Sequence, residues 1–371
     1  MPALNLLIKP ASSLCNMGCK YCFYRDVAEN RNTRSFGIMS EQTCEAMLKN
    51  VFSYADAPVS FTFQGGEPTL AGEKYYRFFH KTVEKYNTRS LPVSFSLQTN
   101  GYGISDGLIE IFKKYNYLLG VSLDGDKELH DSLRTTVRGE PTYDKINETL
   151  KRLDSLKIDY NILTVITENV ARRGDEVYKK LRDRGFRFLQ FIPYVSDFGN
   201  ENESLPYTLT NGSYAKFLNE TFKQYRSDFV SGRYVSVRQF DNFVRIAANM
   251  PPECCGMGGT CYANLVVEAD GSTYPCDFYV LDKWRMGNIT EDPIEALLHS
   301  DGARRFVKES HFVSDECRAC QYLPICRGGC RRHRENERAE VALNRYCEAY
   351  KAFFSESLPL IVDMARRLCK K

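Results

Sequence analysis

The chain has 371 residues, of which 43% are hydrophobic and 26% are charged, as in an ordinary folded protein with a core. Its 50 basic and 47 acidic residues give a net charge of +3, which excludes a global field that would attract nucleic acid or a membrane surface. No apolar run reaches about 18 residues and residues 1–10 lack the features of a signal peptide, so we expect neither membrane insertion nor export. Fourteen cysteines in such a chain predict metal ligation in a reducing cytoplasm.

Residues 4 to about 195 alternate between apolar runs and amphipathic segments. Predicted strands, rich in Val, Ile, Leu and Phe, cover 4–9, 59–64, 93–98, 117–123, 158–166 and 187–193. Predicted helices between them include 40–54, 73–87, 142–156 and 172–184. Six such units predict an α/β fold with a parallel sheet, in the form of a partial (β/α)6 barrel similar to a TIM barrel. Reactive residues should gather at the carboxyl ends of the strands.

The rest of the chain changes character twice. A polar connector over 196–253 contains predicted helices near 213–230 and 241–249, and a cysteine-rich region then extends to about 347. A last helix is predicted near 348–369. We therefore expect three parts: 1–233 for the barrel with its connector and following helix, 234–347 for the cysteine-rich domain, and 348–371 for the C-terminal helix.

Polar turns that carry glycine follow the predicted strands. The second strand leads into Gln64-Gly65-Gly66-Glu67-Pro68, the third into Gln98-Thr99-Asn100-Gly101, and the fourth into Ser122-Leu123-Asp124-Gly125. A double glycine taken alone is as consistent with a tight βα turn as with a ligand contact. Packing does not explain several consecutive strand ends of this kind, so they predict a site.

The first strand leads into a C-x3-C-x2-C pattern formed by Cys15, Cys19 and Cys22. Thiolates are the usual ligands of iron–sulfur cubes, which normally take four. Three ligands leave one iron open to a small molecule. The alternative is a zinc knuckle or three unrelated buried cysteines, but a structural zinc site needs four ligands and the neighbouring sequence offers no histidine or fourth cysteine.

Eight further cysteines are spaced through the C-terminal region: Cys255, Cys261, Cys276, Cys317, Cys320, Cys326, Cys330 and Cys347. They are enough for two complete four-thiolate cubes. Considered alone, the segment is also compatible with a zinc ribbon, and the arginines around Gly328-Gly329 with nucleic-acid binding. Beside the N-terminal pattern, those arginines are more simply charge around thiolate clusters. Cys44, Cys254 and Cys369 remain unassigned, although Cys254 can exchange roles with its neighbour Cys255.

The N-terminal pattern, with Tyr21 before its third cysteine, resembles the signature of the radical S-adenosylmethionine (SAM) superfamily, and the C-terminal spacing resembles its SPASM extension. Within that superfamily, residues 21–24, 63–72, 274–284 and 326–332 resemble the anaerobic sulfatase-maturating enzymes. The resemblance implies a radical SAM barrel with a C-terminal SPASM domain that binds two auxiliary clusters. It also implies an oxidoreductase that converts a cysteine or serine of a sulfatase into Cα-formylglycine without oxygen.

The resemblance further implies SAM and three 4Fe–4S clusters as cofactors. The SAM-binding cluster falls on the N-terminal triad, one auxiliary cluster on Cys255, Cys261, Cys276 and Cys330, and the other on Cys317, Cys320, Cys326 and Cys347. Spacing alone would instead place Cys330 with Cys317, Cys320 and Cys326. The implied SAM contacts are Tyr21, Gly65, Gly66, Glu67, Ser122, Arg134 and Val195. Glycine allows close backbone approach, and an arginine can pair with the methionyl carboxylate.

Asp277 is the predicted general base, because it directly follows the implied ligand Cys276. A carboxylate there can remove the thiol or hydroxyl proton of the substrate. A turn or capping role is the alternative. The implied partners are an unfolded or nascent sulfatase with a Cys/Ser-x-Pro/Ala-x-Arg motif, and an electron donor such as ferredoxin or flavodoxin.

Two other functions remain open from the residues. One is a SPASM-type maturase that forms thioether or other cross-links in another peptide, although many of those have an N-terminal leader-binding domain and only 14 residues precede Cys15. The other is a non-catalytic iron–sulfur or zinc module, which leaves the polar strand ends unexplained. The preference for cysteine or serine substrates is also open.

Overall fold

The computed structural model describes residues 3–198, 204–311, 313–335 and 343–368. Within these ranges the strands are β1 Leu4–Ile8, β2 Val59–Phe63, β3 Val93–Thr99, β4 Leu118–Ser122, β5 Tyr160–Ile166, β6 Phe188–Pro193, β7 Ser236–Val237, β8 Leu265–Val267, β9 Ser272–Tyr274 and β10 Gly287–Asn288. The α-helices are α1 Phe23–Glu29, α2 Glu41–Tyr54, α3 Gly72–Tyr86, α4 Asp106–Lys114, α5 Lys127–Leu133, α6 Tyr143–Leu156, α7 Glu168–Arg172, α8 Gly174–Asp183, α9 Asn211–Val230, α10 Arg238–Ala247, α11 Ile294–Leu298, α12 Asp301–Ser310, α13 Asp315–Arg318, α14 Leu323–Cys326 and α15 Cys347–Leu368.

The six predicted strands are confirmed to within two residues at each end, as are the predicted helices that became α2, α3 and α6. The helix predicted over 172–184 corresponds to α8 and is likewise confirmed to within two residues at each end. The short helix α7 that precedes it was not predicted, and the two are separate because the chain leaves the helical region at Arg173, with φ −113° and ψ 26°. The last residue of the predicted C-terminal helix, Cys369, lies outside the described residues.

The described residues form two compact units, and the first comprises Met1–Ser122, Leu133–Tyr160 and Tyr262–Lys308. Its strands follow the order β10-β9-β8-β1-β2-β3-β4. The register of the parallel pairs places Ile8 opposite Phe63 on one side and Val267 on the other. Since these three strands run in the same direction, the residues that follow them emerge together at one edge of the sheet.

An aromatic core lies under this sheet. Phe61 meets Phe79 edge to face at 5.2 Å between ring centroids, and Phe63 meets Tyr76 in the same way at 5.1 Å. Each such pair stabilises a core by about 0.5–1.5 kcal/mol beyond the buried area. Strand β2, which leads into the site, therefore packs on helix α3 through a buried layer of aromatic rings.

The second unit comprises Leu123–Ser132, Asn161–Cys261 and Glu309–Lys371. It contains β6 in parallel pairing with β5 and β7, and helices α9 and α15 that pack through aromatic rings such as Phe222 and Phe353, 5.5 Å apart. The hydroxyl of Thr210 accepts from the Ser213 amide and caps the start of α9. Among the described residues, no helix has the length and hydropathy required to span a membrane.

Candidate active site

Three half-buried cysteines that form no disulfide lie on the loop between β1 and α1 of the first unit: Cys15, Cys19 and Cys22. Backbone hydrogen bonds hold this loop in place. Gly18 N–H donates to the Thr135 carbonyl at 2.8 Å, and Lys20 N–H donates to the Leu133 carbonyl at 3.0 Å. Three thiols on one anchored loop, with no fourth cysteine in its sequence, fit an iron–sulfur cluster with one open iron.

Cys15 is the best described of the three thiols. Its Sγ accepts hydrogen bonds from the Met17 amide at 3.4 Å and from the Asn100 side chain at 3.7 Å. Burial, above all, raises the pKa of Cys15 to about 12, and the charges of Glu67 and Cys22 act in the same direction, while the Met17 amide opposes them. The metal-free thiol is therefore protonated at neutral pH, and a cluster must displace its proton on binding.

The Gly65–Glu67 turn after β2 supports the cysteine loop directly. Gly66 N–H donates to the Ser12 carbonyl at 2.9 Å, and Glu67 N–H donates to the Leu14 carbonyl at 2.7 Å. A Cβ on Gly66 would overlap the Leu14 carbonyl, and one on Gly65, where φ is +126°, would lie 2.8 Å from the Ser12 carbonyl oxygen. The glycines are thus required where the turn meets the chain's own cysteine loop. A contact of this turn with SAM stays a prediction.

The Glu67 side chain ties the end of β2 to the end of β3. It is completely buried, and its two carboxylate oxygens accept four hydrogen bonds: the amide and hydroxyl of Thr69 at 3.1 and 2.7 Å, the Thr99 hydroxyl at 2.9 Å and the Asn100 amide at 2.8 Å. Burial raises the pKa of Glu67, and these hydrogen bonds limit the rise. The carboxylate is therefore part of the framework, and any contact of Glu67 with SAM would come from its backbone.

Three of the predicted SAM contacts form side-chain hydrogen bonds within the first unit. Arg134 is only 6% exposed and donates from Nη1 to the Tyr21 hydroxyl at 2.9 Å. The Ser122 hydroxyl accepts from Gln98 Nε2 at 3.4 Å, at the adjacent ends of β3 and β4. The structure therefore pairs two of the predicted SAM contacts with each other and places a third at a strand end. Their roles in binding SAM stay predictions.

Asp277 occupies a pocket of polar side chains in the same unit. It begins the 3₁₀ turn Asp277–Tyr279, and its side chain is 13% exposed. Its Oδ2 accepts from the Tyr24 hydroxyl at 2.6 Å and from Gln64 Nε2 at 3.2 Å. Its Oδ1 is buried and has no hydrogen-bond partner among the described residues. One carboxylate oxygen is therefore held by the protein, and the other can accept a proton from another group.

A buried network of charges lies next to this carboxylate. Lys9 Nζ is 3.3 Å from Glu268 Oε1 and 4.0 Å from Asp277 Oδ1, and Arg31 Nη1 is 2.7 Å from Glu268 Oε1. With Asp277 ionised, two cations and two carboxylates sum to zero. Burial raises the pKa of Asp277, and Lys9 and Tyr24 oppose the rise. Burial also acts to raise the pKa of Glu268, but Lys9 and Arg31 outweigh it, so that this pKa is lowered.

The C-terminal cysteines of the second unit fall into two groups. Cys317, Cys320, Cys326 and Cys347 line one pocket together with apolar side chains such as Tyr350 and Phe354. Burial, above all, raises the pKa of Cys326 to about 11, and Cys317 and Cys320 act in the same direction. Four free thiols around one pocket fit the ligand set of a 4Fe–4S cluster.

Cys330 belongs to the other group. Burial, above all, raises the pKa of Cys330 to about 12, and the charges of Cys255 and Cys261 add to the rise. A Cβ on Gly256 would lie 3.2 Å from the Cys330 Cβ, which brings residues 255–256 against Cys330. These contacts of Cys330 are consistent with the grouping that the family resemblance implies, and the grouping itself stays a prediction. That these residues bind clusters stays a prediction, as does Cys276 as the fourth ligand of the Cys330 set.

Two of the unassigned cysteines, Cys254 and Cys44, lie within the described residues. Cys254 Sγ accepts from Asn242 Nδ2 at 3.6 Å on α10, and burial raises the pKa of Cys254. Cys44 is completely buried on α2. Cys255 is among the groups whose charge acts on Cys254, so an exchange of roles between the two stays a prediction.

Val195, the last predicted SAM contact, follows β6 in the second unit and is 8% exposed. The sequence interpretation gave no role to Lys9 and Glu268, and it quoted Tyr24 and Gln64 without one. The available signals for the first two were a lysine directly after the mainly apolar strand Leu4–Ile8 and a glutamate directly after Leu265–Val267. Tyr24 and Gln64 lie within motifs that the sequence shows, but a motif does not reveal which residues they contact.

Comparison with known proteins gives the family. The model of the radical SAM superfamily matches residues 10–177, and an iron–sulfur cluster-binding domain matches residues 255–321. A cysteine-type anaerobic sulfatase-maturating enzyme of Clostridium novyi (strain NT) is 42% identical over 99% of both chains. A serine-type anaerobic sulfatase-maturating enzyme of Klebsiella aerogenes is 28% identical, over 98% of this chain and 87% of the relative.

The solved structure of native anSMEcpe with bound AdoMet and Cp18Cys peptide is also similar. It superposes with a TM-score of 0.94 at 40% identity and covers 99% of this chain and 100% of that chain. The expected fold class, an α/β radical SAM fold with a C-terminal SPASM domain, is confirmed. With identity above 40% over the full length, this chain belongs to the family of anaerobic sulfatase-maturating enzymes.

Proposed function

We propose that the protein oxidises a cysteine in the active-site motif of a sulfatase to Cα-formylglycine, using SAM and three 4Fe–4S clusters. The observation that carries the chemistry is Asp277, whose Oδ2 is held by Tyr24 while its buried Oδ1 has no hydrogen-bond partner among the described residues. A peptide thiol placed against Oδ1 would find a proton acceptor already oriented for it.

The choice of cysteine over serine rests on the relatives. Three cysteine-type enzymes are 40–42% identical to this chain, whereas three serine-type enzymes are 25–28% identical. This chain is therefore closer in sequence to the cysteine-type enzymes, and we expect it to share the residues that determine their substrate preference. Cysteine is the expected substrate, and serine a slower one.

The three cysteines of the N-terminal triad would hold the SAM-binding cluster, and Arg134, with Ser122, would hold the methionyl group of SAM. When bound and reduced, this cluster supplies the electron that cleaves SAM and yields a 5′-deoxyadenosyl radical. The loop's backbone hydrogen bonds to the Gly65–Glu67 turn hold the chain at Ser12 and Leu14, just before Cys15. The protein's own contribution at this step is to position the cysteine loop and SAM.

Oxidation of the substrate cysteine removes two electrons and two protons. A hydrogen atom leaves Cβ, the thiol proton goes to Asp277 Oδ1, and one electron remains to be removed. The resulting thioaldehyde is hydrolysed to the aldehyde, with loss of sulfide. Tyr24 and Gln64 donate hydrogen bonds to Oδ2, so Oδ1 is the oxygen that would face the substrate. Lys9 stabilises the ionised form that the reaction requires.

The two C-terminal thiol groups would hold the auxiliary clusters, whose wide range of potentials suits an acceptor for the last electron. We further propose an unfolded or nascent sulfatase with a Cys-x-Pro-x-Arg motif as partner, and a ferredoxin or flavodoxin as electron donor. A reducing cytoplasm is the compartment in which such free thiols and clusters persist.

The test is a competition between two peptides that differ only in cysteine or serine at the reacting position. Reconstituted enzyme, SAM and a strong reductant are mixed with both peptides without oxygen, and formylglycine is followed by mass spectrometry. We expect the cysteine peptide to be converted first. Faster conversion of the serine peptide would overturn the cysteine-type assignment, and 5′-deoxyadenosine without conversion of either would indicate another peptide substrate.

A further inference from the structure

Asn100 makes an unusual set of contacts at the end of β3. It is 7% exposed, and its Nδ2 donates to Asn16 Oδ1 at 2.8 Å and to Cys15 Sγ at 3.7 Å. Its Oδ1 accepts from the Tyr102 amide at 2.8 Å. Because sulfur is larger and more diffuse than oxygen, hydrogen bonds to it are longer than those to oxygen. Every side-chain polar group of Asn100 is therefore engaged, and one of its donors faces a cysteine of the triad.

The orientation of the Asn100 amide is determined by its neighbours. A flipped amide would bring Nδ2 against the Tyr102 N–H, so that two donors would face each other. The backbone is fixed as well, since Asn100 N–H donates to the buried carboxylate of Glu67. The remaining hydrogen of Nδ2 is thus directed at Cys15 Sγ by contacts on three sides.

We propose that Asn100 is a positioning residue that raises the reduction potential of the SAM-binding cluster through its hydrogen bond to Cys15. The inference rests on the proposed cluster at the N-terminal triad. A hydrogen bond to a ligating thiolate withdraws negative charge from the sulfur, which favours the reduced cluster over the oxidised one. Removal of the donor should make the cluster harder to reduce.

A purely structural role predicts something different. The Tyr102 amide needs only an acceptor, which Asp or Ser also provides in a turn. Asn100 adds two donors, and one of them is directed at sulfur. If the residue only clamps the turn, its replacement changes stability and leaves the potential of a loaded cluster unchanged.

The experiment is an anaerobic redox titration of the reconstituted enzyme and of the Asn100→Leu and Asn100→Ser variants. Electron paramagnetic resonance follows the signal that changes when SAM is added, which separates this cluster from the auxiliary ones. Asn50→Leu is the matched control, because Asn50 Nδ2 also donates two hydrogen bonds, but to the carbonyls of Ile289 and Asp292.

We expect a shift to more negative potential in both Asn100 variants, with no shift in the control and none in the auxiliary clusters. A tenfold change in the ratio of reduced to oxidised cluster at a fixed potential corresponds to about 59 mV for a one-electron couple, and we expect a change of up to that size. An unchanged potential in Asn100→Ser overturns the proposal. This variant alone decides the outcome if Asn100→Leu fails to load iron. Absence of a SAM-sensitive signal in the wild-type enzyme would instead overturn the proposed cluster itself.

Discussion

The Tyr24 hydroxyl donates a hydrogen bond to Oδ2 of Asp277, with 2.6 Å between the oxygens. The two residues are 253 positions apart in sequence, and their contact fixes which oxygen of the carboxylate stays available. Oδ1 is buried without a hydrogen-bond partner among the described residues, as the proposed role of Asp277 as general base requires. The role of Asp277 can be separated from SAM cleavage by substitution.

Asp277→Asn is predicted to lose formylglycine formation by about 10²- to 10⁴-fold while cluster content and SAM cleavage are largely retained, because an amide cannot take the thiol proton. Iron content, 5′-deoxyadenosine and formylglycine are measured on the same samples. Asp282→Asn is the control, since Asp282 Oδ2 accepts from the Asn32 amide at an exposed site. Full product formation by Asp277→Asn would contradict the assignment.

Gly66→Ala is predicted to disturb the SAM-binding cluster, because the added Cβ overlaps the Leu14 carbonyl and forces the cysteine loop to move. Overpacking of this kind costs about 1–3 kcal/mol or more. We expect a reduced SAM-sensitive cluster signal with the auxiliary clusters intact. Gly212→Ala is the control, because nothing lies within 4 Å of its added Cβ in α9. A normal SAM-sensitive signal in Gly66→Ala would show that the turn does not determine the position of the cysteine loop.

Double cysteine variants test the grouping of the C-terminal ligands. The wild-type enzyme should hold about twelve irons, the sum of three four-iron clusters. Cys317 and Cys347 line one pocket, so Cys317→Ala/Cys347→Ala should lose one cluster and retain about eight irons. Cys317→Ala/Cys330→Ala should lose two and retain about four. Cys254→Ala is the control with full iron. About eight irons in the second double variant would support the grouping that spacing suggests instead.

Acidification should weaken the aromatic core through His80. Burial, above all, lowers the pKa of His80 to about 3, whereas an unfolded histidine has a pKa of about 6.5. The unfolded state therefore binds the extra proton first, so stability is fully present above about pH 6.5 and is lost as the pH falls toward 3.

The size of this effect is measured by urea unfolding at several pH values. Wild-type protein should lose up to about 1.4 kcal/mol per pH unit more than His80→Phe, which keeps a ring against Tyr115 but cannot titrate. His299→Gln, at an exposed histidine, should follow the wild type. Equal pH slopes in wild type and His80→Phe would contradict the prediction.

The strands could be predicted because each is a short apolar run bounded by a polar turn, as strands buried on both faces are. The three-residue β8 and the two-residue β7 and β10 are too short for periodicity to detect. Helix α1 was not predicted because its seven residues make only two turns, too short for helical periodicity to detect.

The site could be predicted where a motif is local and could not where it depends on distant residues. The cysteine spacings and the position of Asp277 are local. The contact of Lys9 with Glu268 and of Arg31 with the same carboxylate joins segments more than 200 residues apart, which only the register of β1 with β8 brings together. The contacts of Asn100 with Cys15 and Asn16 are of the same kind.

The proposed oxidation of cysteine is tested with a sulfatase-type peptide whose reacting cysteine carries deuterium at Cβ. Wild-type enzyme, SAM and a strong reductant are incubated with it without oxygen, and both products are analysed by mass spectrometry. We expect formylglycine in the peptide together with deuterium in 5′-deoxyadenosine, at matching amounts. Deuterium-free 5′-deoxyadenosine with an unchanged peptide would contradict it.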